Sequence, residues 1–240
     1  MKVGVMSWDG RDFVRDFINN STQSSQHVAA NFAVYANRQD INRFLALHEL
    51  FKLQLPVKGS IVECGVFVGS SLFTFAHLSG IYEPSNYHRK IIGFDTFEGF
   101  PGWSDIDEFE PSRGIFRPEF DTFKELSNAA VAFQKNHYLE GEEKISLIKG
   151  DATKTIPEFL EKNKHFICSM LYLDFDIYEP TKVALLNFLP RMPKGSILVF
   201  DEIHNPHWPG ETQALVDVLG INNVEIRNFP FNPNISYIKL

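Results

Sequence analysis

Five short β-rich runs, separated by stretches with helical spacing, constrain this chain more than any other feature. The runs are SIVECGV (60–66), KIIGFDTF (90–97), KISLIKGD (144–151), FICSMLYLDFD (166–176) and GSILVFDE (195–202). Helical stretches follow at 70–80, around Ile156–Leu160, in the segment with Pro180 in its first turn, and around Thr212–Leu219. Strands that alternate with helices build βαβ units, hence a parallel sheet with right-handed crossovers. The end departs from this pattern: VEIRNF (224–229) and ISYIKL (235–240), joined by a short Pro/Asn-rich loop, predict an antiparallel hairpin at a sheet edge. The predicted fold is α/β, a doubly wound, mostly parallel seven-stranded sheet with a terminal antiparallel hairpin.

Before the first strand, Ile41, Phe44, Leu45, His48, Phe51 and Leu55 predict a helix with Asp40 as N-cap, ended by Pro56 and Gly59. Residues 1–26 are polar and weakly patterned and read as a flexible arm, leaving 27–240 as a single domain. Residues 98–143 are too long for a simple connection and predict a lid or substrate-binding insertion. Its helical part, Phe123, Leu126, Ala130 and Phe133, would turn one apolar face downward.

The 240 residues carry 44% hydrophobic and 22% charged side chains, an ordinary globular composition. A net charge of −7 argues against nucleic acid and anionic membrane as partners, both of which require clustered Lys and Arg. No apolar run is long enough to span a bilayer, and the first residues contain no secretory h-region. Cys64 and Cys168, each inside an apolar run, read as buried, reduced thiols of a cytoplasmic protein.

In open α/β sheets, ligands bind beyond the carboxyl ends of the strands. Here every parallel strand finishes in an acid: Glu63, Asp95, Asp151, the Asp174/Asp176 pair, and Asp201 with Glu202. After the first strand, Gly65 and Gly69 allow close backbone approach, with Val66 between them and Ser70 or Ser71 opening a helix. The spacing is not GxGxxG, so a dinucleotide cradle is absent, and an amino-acid-bearing cation fits better. Asp95 stands where a carboxylate accepts from ribose hydroxyls, and Asp151 lies near the place of an adenine amino group. Alternation along the fourth strand would put Asp174 and Asp176 on one face, about 7 Å apart. With Asp201 and Glu202 beside them, they offer hard oxygen ligands suited to Mg²⁺ and a carboxylate able to accept a hydroxyl proton. The competing reading is that some of these acids cap helices or pair with Arg191 or Lys194.

In order, IVECGVFVGSS, GFDTFEGFP, LIKGD, LDFDIYEPT and VFDE…WPGE resemble the TylF/MycF/NovP family of S-adenosylmethionine-dependent sugar O-methyltransferases, and within it the calicheamicin-pathway branch. The resemblance covers about residues 28–240 and implies the Rossmann-like class I methyltransferase fold. It implies S-adenosylmethionine as cofactor, with its methionine part held by Glu63, Gly65, Val66, Gly69, Ser70 and Ser71. Asp95 and Phe97 would border the ribose, Asp151 and Ala152 the adenine, and Tyr35 and Arg38 the carboxylate. Asp174, Asp201 and Glu202 match the positions that hold a divalent cation, expected to be Mg²⁺, and Asp176 matches the general base. The family often has Asp-Asp where this chain has Asp201-Glu202, and LRLDGD where this chain has LYLDFD.

The expected function is methyl transfer to a sugar hydroxyl, on a nucleotide-linked deoxyhexose. His204, His207 and Trp208 would contact the sugar, with Trp103 and Phe100 as further lining. Arg113 and Arg117, with Arg89 and Lys90, are the cations available for a diphosphate. The resemblance also implies a homo-oligomer in which N-terminal segments and lids pack across subunits. Rival readings are a cation-dependent methyltransferase of a catechol or other small diol, which needs no diphosphate-binding arginines, and a non-catalytic nucleotide-sugar-binding protein, which needs no buried base. An NAD-dependent oxidoreductase would require the missing glycine fingerprint.

Overall fold

A computed structural model describes residues 9–107, 120–137 and 141–240, which fall into two compact units, one ending at Leu45 and the other spanning Ala46–Leu240. In the first unit lie helices α1 (Asp9–Asn19), α2 (Ser25–Ala30) and α3 (Phe32–Tyr35), so the stretch read as an arm contains helix. Ser24 caps α2 by accepting from the amide of His27, and Tyr35 stacks on Phe17 with ring centroids 5.4 Å apart. Helix α4 (Arg38–Gln54) crosses from one unit into the other. It begins two residues before the predicted cap. The Asp40 carboxylate sits inside the first turn and reaches back to accept from the backbone and side-chain nitrogens of Asn37, one half of a capping box.

The second unit is built on seven strands: β1 (Ser60–Cys64), β2 (Ile91–Asp95), β3 (Ile145–Lys149), β4 (Cys168–Leu173), β5 (Ile197–Phe200), β6 (Arg227–Phe229) and β7 (Asn232–Lys239). They form one sheet in the order β3-β2-β1-β4-β5-β7-β6. The first five strands pair in parallel, while β7 runs antiparallel to both β5 and β6. The order reverses between β1 and β4, and the crevice at the carboxyl ends of these two strands is where such sheets bind ligands.

Alternate strand residues feed two cores. Ile61, Met170, Tyr172, Ile197 and Val199 face Leu47, Leu50 and Phe51 of α4 and Leu72 and Phe75 of α5 (Ser70–Tyr82). Leu126 of α6 (Thr122–Lys135) joins this side, with Phe123, Ala130 and Phe133 packed against it. Val62, Phe94, Leu171, Leu173, Leu198 and Phe200 face the other way. They pack on α7 (Ala152–Lys162), α8 (Tyr178–Phe188) and α9 (Gly210–Val218). Strands buried on both faces read as continuous apolar runs, which is why these segments stood out in the sequence. Each such Leu or Phe contributes about 1.5–3 kcal/mol by burial.

The amino-terminal edge of the sheet is organised by Arg89. Its guanidinium pairs with Glu83 at 2.6 Å and donates to Gln54, Ser169 and the carbonyls of Leu55, Val57 and Gly59. Arg89 is therefore a buried structural cation, and neighbouring Lys90 pairs with Glu142. Both residues precede β2, at the edge opposite the acid-bearing strand ends, which corrects their reading as diphosphate ligands. A cleft of about 650 Å³ opens at this same amino-terminal edge. Lys144 is also buried here, donating to the Asn86 carbonyl at 2.9 Å. Burial lowers its pKa to about 8; the charge of Glu83 opposes that shift, and those of Arg89 and Lys90 add to it.

Candidate active site

The strands are shorter than the apolar runs: Glu63 lies within β1 and Asp95 ends β2, while the other acids fall past the last residues of β3, β4 and β5. Strand β4 ends at Leu173 and β5 at Phe200, so Asp174 and Asp201 leave the sheet side by side. The Asp201 amide still donates to the Leu173 carbonyl at 3.0 Å, and the Asp174 amide to Cys64 at 2.8 Å. Asp176 does not continue the strand. Its φ is +63°, a left-handed conformation that costs about 1–3 kcal/mol and clusters at functional sites. The alternation expected to align Asp174 with Asp176 on one strand face therefore does not apply. Asp176 is turned by its own backbone and is buried.

Gly65 has φ +93°, and a Cβ there would stand 1.9 Å from the Asp174 carbonyl oxygen. The glycine is thus required by the approach of the β1 and β4 ends to each other. Val66 is buried, and its amide and that of Phe67 donate to one oxygen of Asp95 at 2.7 and 2.8 Å. The Phe97 amide donates to the other oxygen at 2.6 Å. Three of the carboxylate's roughly four acceptor positions are used, two in holding the glycine loop and one in its own turn after β2, which leaves one for a ligand hydroxyl. Gly69, also at positive φ, packs against the Leu126 side chain, and Ser70 and Ser71 open α5. Glu63 is buried within β1, opposite Gly93 and Tyr172.

Asp151 is the N-cap of α7, accepting from the Thr153 amide and hydroxyl and pairing with Lys154. Burial works against its charge, but these partners outweigh it and hold the carboxyl below its usual range. Ala152 follows as the first helical residue. Tyr35 and Arg38 belong to the N-terminal unit, Tyr35 buried there and Arg38 exposed at the start of α4.

Three residues that sequence reasoning passed over organise the acids. Tyr172, fully buried, donates its hydroxyl to Asp201 at 2.6 Å. Asp107 accepts from the Tyr178 amide at 2.9 Å and from Ser104, pinning the end of the 98–107 loop to the start of α8. Glu211, in the first turn of α9, is fully buried and accepts from the amides of Asp176 and Glu202. Burial foremost, then the charges of Asp176, Asp201 and Glu202, push its pKa well up. The only sequence signal for Glu211 was its place in WPGE. The Tyr178 of LDFDIYEPT, by contrast, serves packing, since its hydroxyl donates to Asp217 on α9.

The loop after β5 carries the remaining candidates. Glu202 accepts from the Asn205 side chain. His204 has φ +66°, is exposed, and donates its amide to Thr212; His207 is also exposed. The Trp208 ring lies 5.9 Å from that of Phe100, giving this edge an aromatic wall. Arg113 and Arg117 lie outside the described residues. Among the described residues no three His, Cys, Asp or Glu side chains are gathered closely enough to hold a metal ion. The donor chemistry nonetheless suits a hard cation: Asp174, Asp201 and Glu202 bring carboxylates to adjacent strand ends, where Asp201 accepts from the Tyr172 hydroxyl and Glu202 from the Asn205 amide.

The family model of TylF, macrocin-O-methyltransferase, matches residues 37–218. The crystal structure of CalS11, a calicheamicin methyltransferase, superposes with a TM-score of 0.90 at 34% identity, covering 96% of this chain and 91% of that one. The apo structure of CalS11, there described as a TDP-rhamnose 3'-O-methyltransferase, gives 0.83 at 31% identity, covering 96% and 93%. The O-methyltransferase NovP shares the fold, with a TM-score of 0.64 at 17% identity over 83% of this chain and 79% of that one. No curated protein sequence matches the chain. With the family model spanning most of its length, the chain belongs to the TylF macrocin-O-methyltransferase family, and it is an O-methyltransferase.

Proposed function

We propose that the protein transfers a methyl group from S-adenosylmethionine to a hydroxyl of a nucleotide-linked deoxyhexose, with Asp176 as general base. The observation that carries this reading is the arrangement at the β4 and β5 ends: a buried Asp176 held in a left-handed turn, beside Asp174 and Asp201 on neighbouring strands. When bound, S-adenosylmethionine supplies a sulfonium methyl that an acceptor oxygen attacks in line. Glu63 and the loop from Gly65 through Val66 and Gly69 to Ser70 and Ser71 would receive its methionine part, with Arg38 and Tyr35 at the carboxylate. Asp95 would use its remaining acceptor position for a ribose hydroxyl, beside Phe97, while Asp151 and Ala152 border the base. Asp174, Asp201 and Glu202 would hold a divalent cation such as Mg²⁺. When bound, that ion would orient vicinal hydroxyls and raise their acidity.

Asp176 would accept the hydroxyl proton on a carboxylate oxygen, and fixed orientation would supply much of the rate. Trp208 and Phe100 form a surface on which a sugar ring can lie, with His204 and His207 within the same loop. Arg113 and Arg117, in the 98–143 insertion proposed as a lid, would meet the diphosphate. Exposed Phe17, Phe32, Val34 and Phe44 support a homo-oligomer formed through the N-terminal unit. Among the described residues no helix is long and apolar enough to cross a membrane.

The test is a calorimetric titration with S-adenosylmethionine, followed by assays of methyl transfer to TDP- and GDP-linked deoxysugars with Mg²⁺ and with excess chelator. The expected result is cofactor binding and cation-dependent transfer to a nucleotide sugar. Absence of cofactor binding would overturn the reading, and full activity in chelator would remove the cation from it. Transfer to a catechol with none to nucleotide sugars would favour the small-diol alternative.

A further inference from the structure

Glu211 is 0% exposed, yet it is an acid set among acids. Its two oxygens are directed to two different loops. Oε1 accepts from the Asp176 amide at 3.3 Å, and Oε2 accepts from the Glu202 amide at 3.0 Å. A single side chain from α9 thus bridges the segment after β4 to the segment after β5. Each oxygen is turned to a backbone donor, so the carboxylate serves the two loops.

The surroundings show why a glutamate can occupy this place. Gly210 brings the first turn of α9 against the start of α8, where a Cβ would stand 2.5 Å from both the Tyr178 amide nitrogen and Asp107 Oδ1. That contact delivers Glu211 to the strand ends. The amide it holds at Asp176 belongs to a residue at φ +63°, a conformation that persists only where its surroundings fix it. Tyr172 pins Asp201 by its side chain, so the acids on both loops are restrained by buried partners.

We propose that Glu211 is a positioning residue for methyl transfer: its buried carboxylate clamps the backbone amides of Asp176 and Glu202, fixing the proposed base against the proposed cation ligands. The inference rests on the functional reading above for its catalytic consequence, but the clamp itself is a property of the folded chain. Glu211→Gln keeps the shape and turns an amide NH₂ towards one of the two backbone donors; Glu211→Ala removes both acceptors. Loss of an outer partner that orients a reactive or ligating group lowers activity by about 10–100-fold.

Two readouts on the full chain separate the possibilities. The first is amide hydrogen exchange in wild type, Glu211→Gln and Glu211→Ala. The amides of Asp176 and Glu202 are expected to exchange faster in both variants, while Leu171 and Leu198 in the strands keep their protection and report intact folding. The second is steady-state turnover, with kcat expected to fall by about 10–100-fold in Glu211→Gln while KM for the acceptor and cofactor affinity stay unchanged. Unchanged exchange at Asp176 and Glu202 in both variants, or wild-type kcat in both, would overturn the clamp. Faster exchange in a chain whose wild type transfers no methyl would contradict the functional reading while supporting the clamp, so the two failures are distinguishable.

Discussion

At the scale of single residues, the site depends on backbone approaches that leave no room for a side chain. Gly65 is the clearest case, since its Cβ would fall 1.9 Å from the Asp174 carbonyl at a φ of +93°. Gly65→Ala is expected to push the β1 and β4 ends apart, cost more than about 1 kcal/mol, and abolish cofactor binding. Thermal unfolding and a calorimetric titration check this, and wild-type affinity in the variant would contradict it. The glycine was visible in the sequence as a point of close approach. Its neighbour was not, because Asp174 lies more than a hundred residues away in the chain. Glu211 and Tyr172 were missed for the same reason: their importance lies in which distant amide or carboxylate they meet. Arg89 was misread because a cation's charge is visible in sequence but the edge of the sheet it serves is not.

At the scale of elements, the β–α alternation and the terminal hairpin were legible because doubly buried strands leave continuous apolar runs. Their ends were less so. Strands β4 and β5 stop at Leu173 and Phe200, just before Asp174 and Asp201, where the chain turns into loops that no periodicity marks, and the period-2 expectation fails at Asp176 for that reason. Helix starts show the same limit, Asp40 lying inside the first turn of α4 and not before it. Asp151, read from sequence as a ligand position, is the N-cap of α7. Asp151→Ala is expected to cost about 0.5–2 kcal/mol in urea unfolding. If the residue also borders the adenine, the same variant weakens S-adenosylmethionine binding. Unaltered stability would contradict the cap, and lost stability with unaltered affinity would restrict Asp151 to that structural role.

At the scale of the whole molecule, the sheet separates two electrostatic tasks. Its amino-terminal edge buries cations, with Arg89 offset by Glu83 and Lys144 held nearby with its pKa lowered to about 8. An unfolded lysine keeps its proton to about pH 10.4, so between roughly pH 8 and 10.4 the unfolded state binds more protons and stability rises with pH. Lys144→Met is expected to remove that rise from a series of melting temperatures, and a pH profile identical to wild type would contradict it. The carboxyl-terminal edge gathers acids, part of the excess that gives the chain its charge of −7. A sulfonium cofactor and a divalent cation would offset them there. The most direct measurement is turnover of Asp176→Asn against wild type at saturating S-adenosylmethionine and acceptor, with cofactor affinity measured in parallel. Retained affinity with turnover reduced by about 10²–10⁴-fold is the predicted result for loss of a general base. Turnover equal to wild type would contradict Asp176 as the base.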